Sequence, residues 1–242
     1  MKMRINDVVK TQFDFGWKKW GKNVPGYAEP TLKHQKGDIL DIGCATCELY
    51  VYLKKNGWNG NYYGIDIKTG KLLWKADFEN QRGLNLTDAI VSGEYVFATS
   101  GYGKGSMLFR LKKEGNIIIP ETVWQSDLMD NHHGGVILHN GCLYGSGSNA
   151  RGWFCLDFKT GKQLWNTAGK GSLTYADGML YLYDEKGSVR LVSAIPDKFV
   201  ISGEFKLPLE GKGIYWAHPV VCGGRLYLRY DDKLYVYNIS GK

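Results

Sequence analysis

The chain has 242 residues and a formal net charge of +7, with 43 % hydrophobic and 23 % charged residues. These values exclude the mainly disordered, collagen-like and membrane-spanning classes. The basic residues occur in scattered pairs rather than as a stripe, so nucleic-acid binding is not expected. Because 32 glycines accompany 16 tyrosines and 8 tryptophans but only 6 prolines, the composition indicates many short strands joined by tight turns.

Residues 38–67 are the first segment with a regular pattern. Asp38–Asp41 is a short apolar run that leads into Gly43, and helical spacing then continues as far as Asn56. Tyr62–Ile67 is a second apolar run. This order predicts a strand, a helix and a strand, joined as a right-handed parallel βαβ unit.

From residue 68 onward, strand runs alternate with glycine turns and the helical spacing disappears. Lys68–Trp74 recurs in closely similar form as Lys159–Trp165. An apolar strand, a glycine turn and an aromatic strand also recur four times, with turn glycines at Gly93, Gly141, Gly178 and Gly224. A period of roughly 40–45 residues with four short strands is typical of a propeller blade. We expect about four blades, with Trp165 wedged between adjacent sheets.

These repeats resemble the PQQ-like (quinoprotein-like) β-propeller family over roughly residues 68–242. The resemblance is carried by four segments, Asp66–Trp74, Leu156–Trp165, Asp177–Leu182 and Gly224–Leu228. It implies a propeller, a fold that serves enzymes as well as scaffolds. A quinoprotein-type oxidoreductase would hold PQQ beside a Ca²⁺ ligand set and a catalytic aspartate. No such set is recognised in the sequence, so PQQ is not expected.

Residues 38–67 resemble the start of a class I S-adenosylmethionine-dependent methyltransferase, on the segments Ile39–Cys47 and Tyr63–Ile67. By this resemblance, Asp41 and Gly43 lie at the S-adenosylmethionine turn and Asp66 binds the ribose. No later strands complete such a domain, so a vestigial or incomplete methyltransferase is the alternative function. We predict two domains, 1–67 and 68–242, joined near residues 63–68 by a natural, engineered or artefactual fusion.

Alignment of the blades on their turn glycines predicts two columns of residues near the propeller axis. The first column is Thr87, Gly135, Ser172 and His218, and the second is Asn85, His133, Lys170 and Trp216. First strands line the channel of a propeller, so we expect His133, Trp216 and His218 to face one cavity that binds a protein or small molecule. The other interpretation is that these are loop histidines that hold the starts of the blades.

The predicted fold is mainly β, a partial or four-bladed propeller preceded by a short α/β (βαβ) segment. Leu72–Lys75 is expected to close the ring on the last blade; a homodimer completing a larger propeller is the rival arrangement.

The predicted function is non-catalytic binding or scaffolding without a cofactor. No metal site is expected, because Cys44 and Cys47 have no matching second pair. Residues 1–30 lack a signal-peptide pattern, so we expect a cytoplasmic location, although related propellers are often exported.

Overall fold

The computed structural model describes residues 38–42, 62–66, 72–78, 80–82, 87–115, 117–208 and 211–240. In this part of the chain, all regular structure is antiparallel sheet, in three four-stranded and two three-stranded units. No helix among these residues is long and apolar enough to cross a membrane. The sheets follow one another along the chain, and we number them blades 1 to 5. The predicted propeller-like fold is confirmed.

The strands have the following bounds. Blade 1 contains β1 (Asp38–Ile42), β2 (Tyr62–Asp66) and β3 (Leu72–Ala76). Blade 2 contains β4 (Ile90–Ser92), β5 (Tyr95–Ser100), β6 (Gly105–Glu114) and β7 (Ile117–Ser126). Blade 3 contains β8 (Val136–His139), β9 (Cys142–Ser146), β10 (Gly152–Asp157) and β11 (Gln163–Ala168). Blade 4 contains β12 (Gly171–Ala176), β13 (Met179–Asp184), β14 (Ser188–Ser193) and β15 (Ile201–Lys206), and blade 5 contains β16 (Val220–Cys222), β17 (Arg225–Tyr230) and β18 (Lys233–Asn238).

Tight turns join the first two strands of each full blade, as the glycine repeat predicts. Asn140 and Gly141 both have positive φ, at 48° and 74°, and Asp177 and Gly178 follow the same pattern at 51° and 77°. Two successive positive φ angles define the hairpin turn whose twist matches that of the strands. The asparagine and aspartate tolerate this conformation better than other non-glycine residues.

Each pair of successive blades encloses one apolar cluster. Along the second strand of each blade, successive side chains point to opposite faces of the sheet. One face packs on the preceding blade and the other on the following blade. Phe97, Tyr144 and Tyr181 occupy the same position in blades 2, 3 and 4, and each is buried against the following sheet. The strongest physical link between the blades is therefore this aromatic column together with the aliphatic side chains around it.

Tryptophans of the fourth strands link neighbouring blades by a hydrogen bond as well as by packing. Trp165 Nε1 donates to the carbonyl of Ile195 at 3.0 Å, and Trp124 Nε1 donates to the carbonyl of Phe158 at 3.0 Å. Each acceptor follows the third strand of the next blade. Gly161 has no side chain because the Trp124 ring would lie only 2.6 Å from a Cβ there. The predicted position of Trp165 between sheets is confirmed.

Blade 1 corrects the predicted βαβ unit. Both predicted strands exist, but β1 pairs with β2 in antiparallel register, from Asp38 opposite Asp66 to Ile42 opposite Tyr62. β3 then pairs antiparallel with β2, so a single sheet includes strands from both sides of the predicted boundary at residue 67. The domain division stays a prediction. The predicted helix and Gly43 lie outside the described residues.

The predicted closure of the ring by Leu72–Lys75 is wrong. β3 pairs with β2, and the described strands of blade 5 pair only with one another. β2 is only a few residues away along the chain, whereas β18 is more than 150 residues away. A local antiparallel pairing closes a much shorter loop and costs less conformational entropy. The last strand of blade 1 is therefore β3, which follows β2 directly in the chain.

Removing a buried side chain between two blades should cost far more stability than removing an exposed one. Leu143 is fully buried in the cluster between blades 2 and 3, so Leu143→Ala should lower the free energy of unfolding by about 2–5 kcal/mol. The control Ile117→Ala removes an exposed side chain and should cost less than about 0.5 kcal/mol. Urea unfolding followed by circular dichroism measures both; equal losses would contradict the packing described here.

Candidate binding site at the upper rim

In the described part of the chain, the loops between blades and the turns between second and third strands lie at one end of the sheets. We call this end the upper rim. Loops from four blades bring together one group of side chains, which we call the rim cluster: Tyr102, His132, His133, Lys170, Glu185, Trp216 and His218. These residues are far apart in sequence, so only the stacking of the blades brings them into contact.

The three predicted axis residues lie in contact. The ring of His133 stacks on Trp216 with 4.6 Å between centroids and an interplanar angle of 29°. His218 Nε2 donates a hydrogen bond of 2.7 Å to the carbonyl of His133. The His218 ring fits because Gly135 has no side chain; a Cβ there would lie 3.1 Å from it. The structure therefore brings the three residues of the column alignment together, and their role in binding stays a prediction.

A chain of hydrogen bonds continues from His133 to Tyr102. His132 Nδ1 lies 3.1 Å from His133 Nδ1, and His132 Nε2 lies 2.9 Å from the Tyr102 hydroxyl. Between the two Nδ1 atoms, one must donate and the other must accept, so the two rings cannot both be imidazolium. Burial lowers the pKa of His132, and it lowers the pKa of His133 from 6.5 to about 4, against the opposing pull of Glu185.

Glu185 is the main polar centre of the rim cluster. Its Oε1 lies 3.1 Å from Lys170 Nζ and accepts a 3.1 Å hydrogen bond from Trp216 Nε1. His133 Nε2 lies 3.5 Å from the same oxygen. Since Lys170 balances the charge of Glu185 and burial lowers the pKa of both His132 and His133, these four side chains together carry almost no net charge at pH 7.

A buried aspartate holds the adjoining turns in place. Asp130 accepts hydrogen bonds from the backbone N–H groups of Gly103 at 3.1 Å, Asn149 at 2.9 Å and Ala150 at 3.3 Å. These groups belong to the turns that follow β5 and β9. One carboxylate thus ties blade 2 to blade 3, and the charge-assisted bonds are of the stronger kind. The rim is fixed before any partner arrives.

A cavity of about 390 Å³ adjoins the rim cluster. Of the three residues predicted to face one cavity, His133 and His218 line it and Trp216 does not. The other walls are apolar side chains of the inner strands and of the residue before β4, which are Ala89, Ile90, Val136, Ile137 and Leu173. The first predicted column contributes here as well: Thr87 and Gly135 line the cavity, and the Ser172 hydroxyl donates to the carbonyl of Trp216 at 3.3 Å. Apolar walls with a few polar groups are typical of a binding cavity.

Other predicted site residues are not brought together. β1 and β2 are antiparallel, so Asp41 and Asp66 lie near opposite ends of their sheet, unlike the shared edge that parallel strands provide. Gly43 and Asn85 lie outside the described residues. Binding of S-adenosylmethionine stays a prediction. Among the described residues, no group of three or more histidine, cysteine, aspartate or glutamate side chains could hold a metal ion.

The low pKa of His133 should make stability depend on pH. An unfolded chain binds a proton to this ring near pH 6.5 and the folded chain only near pH 4, so protons favour unfolding between these values. Stability should fall as the pH is lowered through this window, by about 2 kcal/mol between pH 7 and 4.5 from this ring. His133→Gln should remove that part of the pH dependence.

Urea unfolding of the parent and the variant at pH 7 and 4.5 measures the difference. His139→Gln, which changes a histidine outside the rim cluster, serves as the control and should keep the pH dependence of the parent. If the parent and His133→Gln lost equal stability on acidification, the buried neutral state of His133 would be contradicted.

Comparisons with known proteins agree on the fold. A family model described as outer membrane protein assembly factor BamB matches residues 120–195, and no curated protein matches. The crystal structure of BamB from Moraxella catarrhalis is 17 % identical with a TM-score of 0.52, covering 72 % of this chain and 50 % of that chain. The computationally designed Ika8 protein is 11 % identical with a TM-score of 0.54, covering 74 % and 53 %. The chain therefore resembles BamB-like PQQ propeller repeats and spans about half the length of these solved structures.

Proposed function

We propose that the protein is a non-catalytic binding module that holds a protein partner on the rim cluster. The observation that carries this proposal is the convergence of five separate loop segments on one aromatic and polar group at the upper rim. Trp216 is stacked on His133 and held by Glu185, yet 43 % of its surface is exposed. A fixed aromatic side chain that remains accessible is typical of a binding hot spot.

The chemistry of the rim cluster favours binding over catalysis. The Oε1 atom of Glu185 already meets Lys170 and Trp216, and both histidines have lowered pKa values. No serine, threonine or cysteine belongs to the rim cluster, and its one hydroxyl, that of Tyr102, meets His132, whose lowered pKa makes it a weak base. The adjoining cavity of about 390 Å³ has room for one or two apolar side chains of a partner.

Site-specific crosslinking tests this proposal. Ile214 is exposed in the same loop as Trp216, and Ile201 is exposed on β15 near the opposite end of the sheets. A photoreactive benzoylphenylalanine at 214 should form a crosslinked species of discrete mass in cells, whereas the same residue at 201 should not. When Trp216→Ala is added to the protein that carries benzoylphenylalanine at 214, the yield of the crosslinked species should fall at least fivefold, because the aromatic contact is lost.

Two results would contradict the proposed function. One is the absence of any crosslink from position 214 while the protein is folded and abundant. The other is an equal yield in the presence and absence of Trp216, which would indicate that contact at the rim does not depend on the rim cluster.

We further propose that two copies join through the outer face of blade 5. The position occupied by Phe97, Tyr144 and Tyr181 is Tyr227 in blade 5, and among the described residues no later blade covers it. On the same face Leu234 is 64 % and Val236 49 % exposed. Among the described strands, β18 pairs only with β17. Such a blade face is buried elsewhere in the described structure against the next blade, so the occupant that we propose is a blade of a second copy.

Light scattering after gel filtration tests this assembly. The parent should elute with twice the 27.3 kDa mass of one chain, and Leu234→Glu with Val236→Glu should elute as a monomer, because charges would be buried at the interface. The control Ile117→Glu with Ile119→Glu changes two exposed isoleucines of β7 and should remain dimeric. A monomeric parent at about 100 μM would contradict the proposal.

A further inference from the structure

A second concave site lies beside the rim cluster. A groove of about 750 Å³ runs between the upper-rim loops of blades 3 and 4, and it shares Lys170 and Glu185 with the rim cluster. Its walls come from three segments: the turn between β9 and β10, the loop between β11 and β12, and the turn between β13 and β14. Four cationic side chains line it, Arg151, Lys170, Lys186 and Arg190.

The two inner cations are held in place by acidic partners. Lys170 Nζ lies 3.1 Å from Glu185 Oε1, and Arg190 Nε lies 2.8 Å from Glu204 Oε1. Arg190 Nη1 also donates to the carbonyl of Ala168 at 3.5 Å. These contacts fix both side chains against the walls and largely balance their charges, so the inner part of the groove is polar and rigid rather than strongly charged.

The two outer cations are not balanced in this way. Arg151 and Lys186 are exposed at the mouth of the groove, and neither forms an ion pair with any residue that the structure describes. Asp184 and Glu185 stand in the same turn as Lys186, but Asp184 Oδ1 accepts hydrogen bonds of 2.8 Å from the backbone N–H groups of Lys186 and Ser188, and Glu185 Oε1 pairs with Lys170. Arg151 and Lys186 therefore remain available to an anionic ligand.

The backbone around Arg151 is fixed. Arg151 has a φ of 45°, a conformation that most residues adopt only at a cost, and the preceding Asn149 and Ala150 are bonded to Asp130. The turn therefore presents the guanidinium from a defined position. Asn149 and Ser148 add neutral hydrogen-bonding groups to the same wall.

From this arrangement we infer that the groove binds an acidic peptide segment, with Arg151 and Lys186 pairing with its carboxylates. A guanidinium fork matches a carboxylate in two parallel hydrogen bonds. A volume of about 750 Å³ is within the range of specific ligand sites. The carboxylates of Asp184 and Glu185 lie between the cationic side chains along the walls. A nucleic acid, with a phosphate at every residue, would place some phosphates against these carboxylates, whereas a peptide can place its carboxylates only opposite the cations.

This inference deepens the proposed function and rests on it, because it assigns the chemistry of the partner that the rim binds. The two can fail separately. Loss of crosslinking from position 214 would remove the role of the rim cluster and leave the groove as an anion site. Loss of peptide binding would remove the acidic character of the partner and leave the crosslink untouched.

Fluorescence anisotropy with a fluorescein-labelled hexaglutamate peptide tests the inference on the full chain. Arg151→Gln with Lys186→Gln should weaken binding at least tenfold. The control, Lys162→Gln with Lys198→Gln, removes two exposed lysines at the opposite end of the sheets and produces the same net charge. It should weaken binding less than twofold. Thermal melting of both variants verifies that they are folded.

The other outcomes each overturn the inference. A dissociation constant above 1 mM for hexaglutamate, or equal weakening by the two double variants, would indicate no specific site. Tight binding of labelled hexaglutamine would show that carboxylates are not recognised. If a twelve-residue oligothymidylate displaced the peptide at equal or lower concentration than unlabelled hexaglutamate, the groove would be a general anion site rather than one for acidic peptides.

Discussion

A blade of antiparallel strands has two apolar faces, and it can bury both only against other blades. The rest of this structure depends on that constraint. Four apolar clusters lie between the five successive sheets, and among the described side chains each cluster draws its members from two neighbouring sheets. The stability of each blade is therefore tied to its neighbours, as in other repeat proteins. A blade face that no neighbour covers consequently leaves apolar side chains exposed to water.

The same stacking builds the site. Because all loops between blades lie at one end, side chains more than a hundred residues apart, such as Tyr102 and Trp216, both reach His132. Hydrogen bonds from side chains to backbone then fix these loops, with Asp130 joining two blades and Asn131 Oδ1 accepting from both Thr87 and Gly135. A loop that is already ordered loses little entropy when a partner binds, which favours affinity.

Local pattern was enough to predict the strands, the glycine turns and the wedge of Trp165, because each depends on a few neighbouring residues. Alignment of the repeats went further and predicted the group of His133, Trp216 and His218. The predicted parallel direction of the two strands in blade 1 was wrong, since apolar runs do not show whether two strands are parallel. The segment Tyr63–Ile67 suited both a methyltransferase strand and a blade strand; the antiparallel pairing of its described residues is that of a blade strand, and the methyltransferase resemblance stays a prediction.

Glu185 and Asp130 were not predicted, and the reason is physical. Glu185 stands in a short turn after β13, where an acidic residue is ordinary, and nothing near it in sequence indicates Trp216 or Lys170. Asp130 is likewise an unremarkable loop residue until the turns around Gly103 and Asn149 surround it. A residue whose role depends on contacts between blades need not recur at the same position of every repeat. Alignment of the repeats therefore does not identify it.

The two proposed binding regions of the upper rim differ in how their charges are balanced. In the rim cluster His132 and His133 favour their neutral forms and Lys170 offsets Glu185, so under the proposed function shape and the aromatic surface of Trp216 decide what binds there. In the adjoining groove Arg151 and Lys186 have no such partner, so charge decides. Lys170 and Glu185 belong to both regions. An acidic segment entering the groove would compete with Glu185 for Lys170 and so weaken one of the contacts that hold Trp216. The two regions are therefore coupled through a single ion pair.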